Sequence, residues 1–194
     1  MINYQQDLGQ ILAYDYVVGD IVNFDGSNWR VVKNATVAED YVTLMKERVL
    51  TNAELGEYAY DSGYDTMIYH ESSNIYSTSK IREMLESRYL SVLGELNLKE
   101  IDGYKIRLIT LDELYNNLEC KNDSCSSSPH VSWISQNFGG GQNHVSGYWT
   151  MSSNDLPSYG VWYIYLPGTI LQSGVDYTLH GVRPVINLLK SAIE

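Results

Sequence analysis

The order of elements along the chain predicts an α+β fold built on antiparallel sheets with two main helices. Three observations carry that prediction. A tight-turn hairpin opens the fold, two capped amphipathic stretches occupy the middle, and strands rich in Tyr and Trp fill the last fifty or so residues. No repeat and no linker divides the 194 residues. The chain is therefore read as one domain over 19–194, behind an extension over 1–18 that suits a remnant of a stalk or linker.

Each element has its own signal. Ile2, Leu8, Ile11 and Leu12 fit one helical stripe in the extension. Gly19-Asp20 marks a turn, and Ile21–Phe24, Asp25-Gly26-Ser27-Asn28 and Trp29–Val32 read as strand, turn, strand. Tyr41–Met45 is a third strand. Residues 51–76, rich in Tyr, Ser, Gly and Asp, read as a long surface loop with small elements. Ser77-Thr78-Ser79 offers caps for a helix from about Lys80 to Leu93, with Ile81, Met84, Leu85 and Val92 on one face. Leu96, Leu98 and Ile101 carry apolar character to a turn at Asp102-Gly103. Tyr104–Ile109 alternates as a strand does, and Thr110-x-x-Glu113 is a capping box for a short helix through Leu118. Trp133-Ile134 precedes a polar tract ending in Gly139-Gly140-Gly141-Gln142-Asn143, read as a loop. Strands resume at Tyr148.

Composition excludes several functions. The net charge is −11 and only 13 residues are Lys or Arg, so no basic footprint exists for nucleic acid or for an anionic membrane surface. The opening residues are too short and polar for a signal peptide or a spanning helix, so direct membrane insertion is not expected. Tyr is used 17 times and Trp 4 times against 2 Phe. Either the rings are half-exposed on strands and surfaces, or Tyr simply replaces Phe in a sheet protein.

The two cysteines lie at Cys120 and Cys125. The spacing is not Cys-x-x-Cys and no His pair adjoins it, which disfavours a redox motif and a zinc site. A small disulfide loop is expected, implying an oxidising compartment; two reduced thiols in a polar loop are the alternative.

Motifs of chemistry are sparse. There is no P-loop, no dinucleotide fingerprint, no His-Glu-x-x-His and no nucleophile elbow. His70, His130, His144 and His180 are scattered. Asp65 and His70-Glu71, meeting His180 in space, are the basis of an alternative reading as an enzyme. Asp61, Asp65, Asn154, Asp155 and Asp176 are oxygen ligands in type, but they lack calcium-loop spacing and suit turns equally well. The expectation is no metal, no cofactor and no catalysis.

Arg183-Pro184 is more informative. Pro184 removes a ladder donor and pushes Arg183 to extended geometry. Set among Val182, Val185 and Ile186, the guanidinium is expected to bond several loop carbonyls or a carboxylate. Trp149 is expected in the core beneath it or nearby, which makes Trp149, Arg183 and Pro184 structural.

A set of segments carries a resemblance. Gly19-Asp20-Ile21-Val22 with Trp29-Arg30-Val31 forms an opening hairpin. Ser79 to Leu85 begins a helix, and Arg107 to Leu114 steps from strand to capped helix. The Cys pair, Ser132-Trp133-Ile134, Gly147-Tyr148-Trp149-Thr150, Val161-Trp162-Tyr163 and Gly181 to Ile186 follow. Together they resemble C-type lectin-like domains of exported Firmicutes proteins, pilin-like ones included. The wider group holds formylglycine-generating-enzyme-type folds and the variable proteins of diversity-generating retroelements.

The resemblance implies a C-type lectin-like fold, export to the cell surface or a pilus, and a ligand surface near the C-terminal loops. It does not imply sugar binding, because the Glu-Pro-Asn, Gln-Pro-Asp and Trp-Asn-Asp signatures are missing. It does not imply catalysis, because no Cys follows Cys125 and no His-rich iron site is matched. Retroelement diversification would act at exposed sites around Trp149 to Tyr177.

The expected function is an extracellular ligand-binding or adhesion domain of a bacterial surface or pilin-like protein. Its partner would be a protein or glycan on a cell surface, or other subunits of a surface fibre. A purely structural fibre subunit is a further alternative. Alternation along the last strands puts Trp149, Val161 and Tyr163 on the core side. Met151, Ser153, Asn154, Tyr159, Trp162, Tyr165, Thr169, Leu171, Ser173 and Tyr177 are then the displayed set.

Overall fold

The structure is a computed structural model that describes residues 16–36, 38–94, 97–135, 144–153, 160–165 and 167–193. The stripe over Ile2 to Leu12, Leu96, the Gly139–Asn143 tract, Asn154, Asp155 and Tyr159 lie outside the described residues.

The opening hairpin pairs β1 (Ile21–Phe24) with β2 (Ser27–Lys33). Phe24 faces Ser27, so Asp25-Gly26 alone makes the turn, both at positive φ. That geometry matches strand twist and suits Asp-Gly. β3 (Tyr41–Lys46) pairs antiparallel with β2. The terminal strand β9 (Val185–Leu189) pairs with β3 on one side and with β4 (Ile106–Arg107) on the other. The first sheet therefore runs β1-β2-β3-β9-β4. The expected strand over Tyr104–Ile109 shrinks to two ladder residues, because Ile101 and Tyr104 close their own hairpin around Asp102-Gly103.

The second sheet runs β7-β6-β5-β8, with β5 at Gly147–Ser153, β6 at Gly160–Tyr165, β7 at Thr169–Gly174 and β8 at His180–Gly181. β5 pairs antiparallel with β6 but parallel with β8. The sheet is mixed rather than purely antiparallel, because β8 returns along β5 from a separate excursion.

Helices are more numerous than the expected two. The irregular stretch after Thr51 begins with α1 (Asn52–Leu55), closed by a capping box between Thr51 and Glu54. Ser79 caps α2 (Lys80–Met84) through Arg82 N–H. α2 continues through a π-helical stretch (Leu85–Tyr89) into α3 (Leu90–Leu93). α4 (Leu111–Asn116) has the Thr110–Glu113 box, and Glu113 also accepts both terminal nitrogens of Arg107, at 2.8 and 2.6 Å. Trp133-Ile134, which the sequence leaves unassigned ahead of the polar tract, belongs to a fifth short helix, α5 (Val131–Ser135).

Strand alternation feeds two cores. Val31, Leu44, Ile186, Leu188, Trp149 and Val161 join the helix α2–α3 in one. Val32, Met45, Val185, Tyr148 and Ile164 join α4 and α5 in the other. Neighbouring residues on one strand point to opposite faces, so a single strand serves both cores. Cys120 and Cys125 are disulfide-bonded, and both are buried. Their loop lies along the free edge of β7: Ile170 N–H donates to Asp123 O at 2.8 Å and Cys125 N–H to Gly168 O at 2.7 Å. A bare sheet edge is thereby paired. No helix among the described residues is long and apolar enough to cross a membrane.

Candidate recognition surface

The segment joining β8 to β9 holds the C-terminal strands in place. Arg183 is fully buried and donates to four main-chain carbonyls: Lys46 O (3.1 Å), Glu47 O (2.8 Å), Trp133 O (3.0 Å) and Ile134 O (3.1 Å). The planar fork thus ties the end of β3 to α5. Burial lowers its pKa, with the Tyr148 hydroxyl opposing that. The rings over the guanidinium are Tyr148, at 4.8 Å, and Trp133, at 6.0 Å, not Trp149. Trp149 points the other way, into the first core, as the two-residue strand period requires. Pro184 has no N–H to give, but its carbonyl accepts from Lys46 N–H at 2.8 Å.

On that frame the second sheet presents one aromatic face. The register sets Trp149, Tyr163 and Leu171 in one row, and Tyr165 beside Thr169. Ser153 and Ser173 flank Val161 in another row. Directly opposed residues share a face, so Tyr163, Tyr165, Thr169, Leu171 and Ser173 lie together. Tyr165, Leu171 and Tyr177 are 42%, 40% and 42% exposed, while Tyr163 between them is half-buried. Tyr163 and Tyr165 meet edge to face at 6.3 Å.

Beneath them lies His180, 1% exposed. Its ring stacks on Tyr163 at 3.9 Å, sits 4.6 Å from Tyr177 and meets Trp149 edge-on at 4.6 Å. Trp149 donates from Nε1 to Met67 O at 2.9 Å. Burial pushes the His180 pKa down to about 3, so the imidazole is neutral. Burial raises the Tyr163 pKa too, with Tyr177 and Tyr165 adding to it. The surface is thus an aromatic layer over a neutral imidazole, and its outer rings meet solvent.

The expected display set divides on this face. Tyr165, Thr169, Leu171, Ser173 and Tyr177 gather around Tyr163, with Ser153 at the end of β5. Met151 is half-buried against the first core. Trp162 lies on the opposite face, packed on the second core with Ile164, because it is one residue out of phase with Tyr163 and Tyr165. Tyr163 lies on the core side as expected, half-buried and packed against the first core in the row of Trp149, and the exposed side chains gather at its outer rim. Its signal in the sequence is the Tyr163-x-Tyr165 spacing; His180 has none, since only the stacking reveals it.

The residues behind the enzyme alternative are engaged locally. Asp65 Oδ1 accepts Asn52 N–H at 2.6 Å, and His70 Nδ1 accepts Ser72 and Ser73 N–H at 2.9 and 3.0 Å. His144 stacks on Tyr64. Among the described residues no three His, Cys, Asp or Glu groups come together as a metal site requires. No protein-family model, curated protein or solved structure matches the chain.

Proposed function

We propose that this chain is an extracellular recognition domain of C-type lectin-like type, carried by a bacterial surface or pilin-like protein. It binds a protein or glycan on a cell surface through the aromatic face of β6 and β7 and performs no catalysis. One observation carries the reading: three large side chains, Tyr165, Leu171 and Tyr177, stand exposed around Tyr163 on a backing of buried Trp149 and His180. Tyr offers large contact area at small entropy cost, and exposed aromatics clustered on a rigid support suit recognition. The disulfide supports an oxidising setting.

The test is a variant carrying Tyr165→Ser, Leu171→Ser and Tyr177→Ser. Labelled wild-type and variant protein are compared on intact bacterial and epithelial cells and on an immobilised glycan panel. The wild type is expected to bind at least one of these surfaces, and the variant to lose at least tenfold in affinity. Its melting temperature should stay within a few degrees. Equal binding by both proteins, or none by the wild type, overturns the reading.

A further inference from the structure

A cleft of about 880 Å³ opens between the Asp25 hairpin turn, the α1 region and the π-helical stretch. Its wall forms because Gly56 has no Cβ: a methyl there would strike the Arg88 guanidinium, which lies flat against α1. Arg88 donates from Nε to Glu54 O at 2.8 Å and from Nη2 to Ala53 O at 3.1 Å. π-helical turns concentrate at functional sites, and this one supplies Ser87, Arg88 and Tyr89 to the cleft.

Its cations are already spent. Arg88 is held by those two carbonyls and stands 3.8 Å from Glu57. Lys46, nearly buried, reaches Glu54 at 3.3 Å and Ser27 at 2.9 Å. Asp25, at the hairpin turn, lines the cleft and has no side-chain partner among the described residues. Tyr89 is only 4% exposed, yet its hydroxyl makes no hydrogen bond to the protein. Unlike the hydroxyls of Tyr69 and Tyr76, that oxygen is not sealed from solvent, so the little of Tyr89 that is exposed is open to a group in the cleft it lines. Burial, then Glu54 and Asp25, raises its pKa, which sets the hydroxyl in the field of both carboxylates. The opposite side is apolar, with Val92 63% exposed and Tyr58 half-buried.

We propose that this cleft binds an alkylammonium group, its methylene chain against Val92 and Tyr58 and its cation between Asp25 and the Tyr89 hydroxyl. A carboxylate and a phenol oxygen both accept from an ammonium, and an aliphatic stem lies naturally on an apolar wall. The chain's net charge of −11 favours the approach of cations generally. Such a group is offered by a lysine side chain of a peptide or by a free diamine. The inference stands apart from the aromatic face and does not depend on it.

Two probes separate the sources: the capped tripeptide acetyl-Ala-Lys-Ala-amide, and cadaverine. Each is titrated into isotope-labelled protein while main-chain amide shifts are followed. Saturable shifts at Asp25, Tyr58, Arg88 and Val92 are expected. A response to both probes shows that the amine and its stem suffice. A response to the peptide alone shows that the main chain is read too, and one to cadaverine alone assigns a free diamine. Asp25→Asn keeps a residue suited to the positive φ of 51° there, and Tyr89→Phe removes only the hydroxyl. Each should weaken the response about tenfold, while Asp112→Asn, an exposed control on α4, leaves it unchanged. Absence of saturable shifts with both probes, or shifts insensitive to Asp25→Asn, overturns the proposal.

Discussion

The junction around Arg183 and the outer face of β6 and β7 are built from adjoining strands, yet they solve opposite problems. At the junction a charge is fully buried and four main-chain carbonyls accept from it, with Tyr148 against its guanidinium. On the outer face the side chains are large, neutral and partly in water. The junction fixes position, because a stranded carbonyl is costly and four depend on one side chain. The face leaves contact area unspent, because its rings already rest on His180 and Trp149 and need no further support. Substitutions should separate the two regions cleanly: stability answers to the junction, and binding answers to the face.

The largest effect is expected at the junction. Arg183→Ala should destabilise the domain by about 2–4 kcal/mol, because it strands buried acceptors. Arg183→Lys should recover little, since an ammonium cannot span four carbonyls as a planar fork does. Chemical denaturation checks both, and unchanged midpoints would remove the junction's claim to hold the fold.

The Cys120–Cys125 bridge should rank next. Closing so short a loop is worth ~2 kcal/mol at most in the chain-entropy account. Replacing both by Ser should lower stability by about that amount and raise amide exchange at Cys125 and Ile170, which bond across the β7 edge. Mass measurement before and after reduction should differ by about two hydrogens per bridge. Native protein with two alkylatable thiols contradicts the bridge.

The smallest effect sharpens the account of the aromatic layer. The folded pKa of His180 is pushed below the unfolded value, to about 3. Between that value and about 6.5 the unfolded chain binds a proton that the folded chain does not. Stability is therefore complete above the unfolded pKa and falls as pH drops through this window. His180→Phe keeps a stacked ring and removes the proton. From pH 7 to pH 5.5 the wild type should lose about 1 kcal/mol more than His180→Phe. Glu113 and Glu47, whose pKa values are lowered, remain ionised in both proteins over that interval and cancel. Parallel pH profiles would mean that the ring is reached by water.

Local chemistry determined much of this molecule from the sequence alone. Asp25-Gly26 specifies a hairpin because both positions need positive φ. Thr110 and Glu113 specify a helix start because each satisfies the other's N–H. Arg before Pro in an apolar run marks a side chain that must find acceptors inside. Each of these signals is complete within a few residues. Even the missed helix at Asn52 announces itself, since Thr51-x-x-Glu54 is the same box.

The tertiary structure decided what those residues face. Alternation says that Tyr163 and Trp162 point apart, but not which core each meets, and the structure packs Trp162 against the second core and Tyr163 against the first. It also decided that β8 runs parallel to β5, and that a π-helical turn brings Tyr89 to a cleft beside Asp25. Those outcomes rest on contacts between segments far apart in the chain. No short window of sequence contains both partners, so only the packed fold can state them.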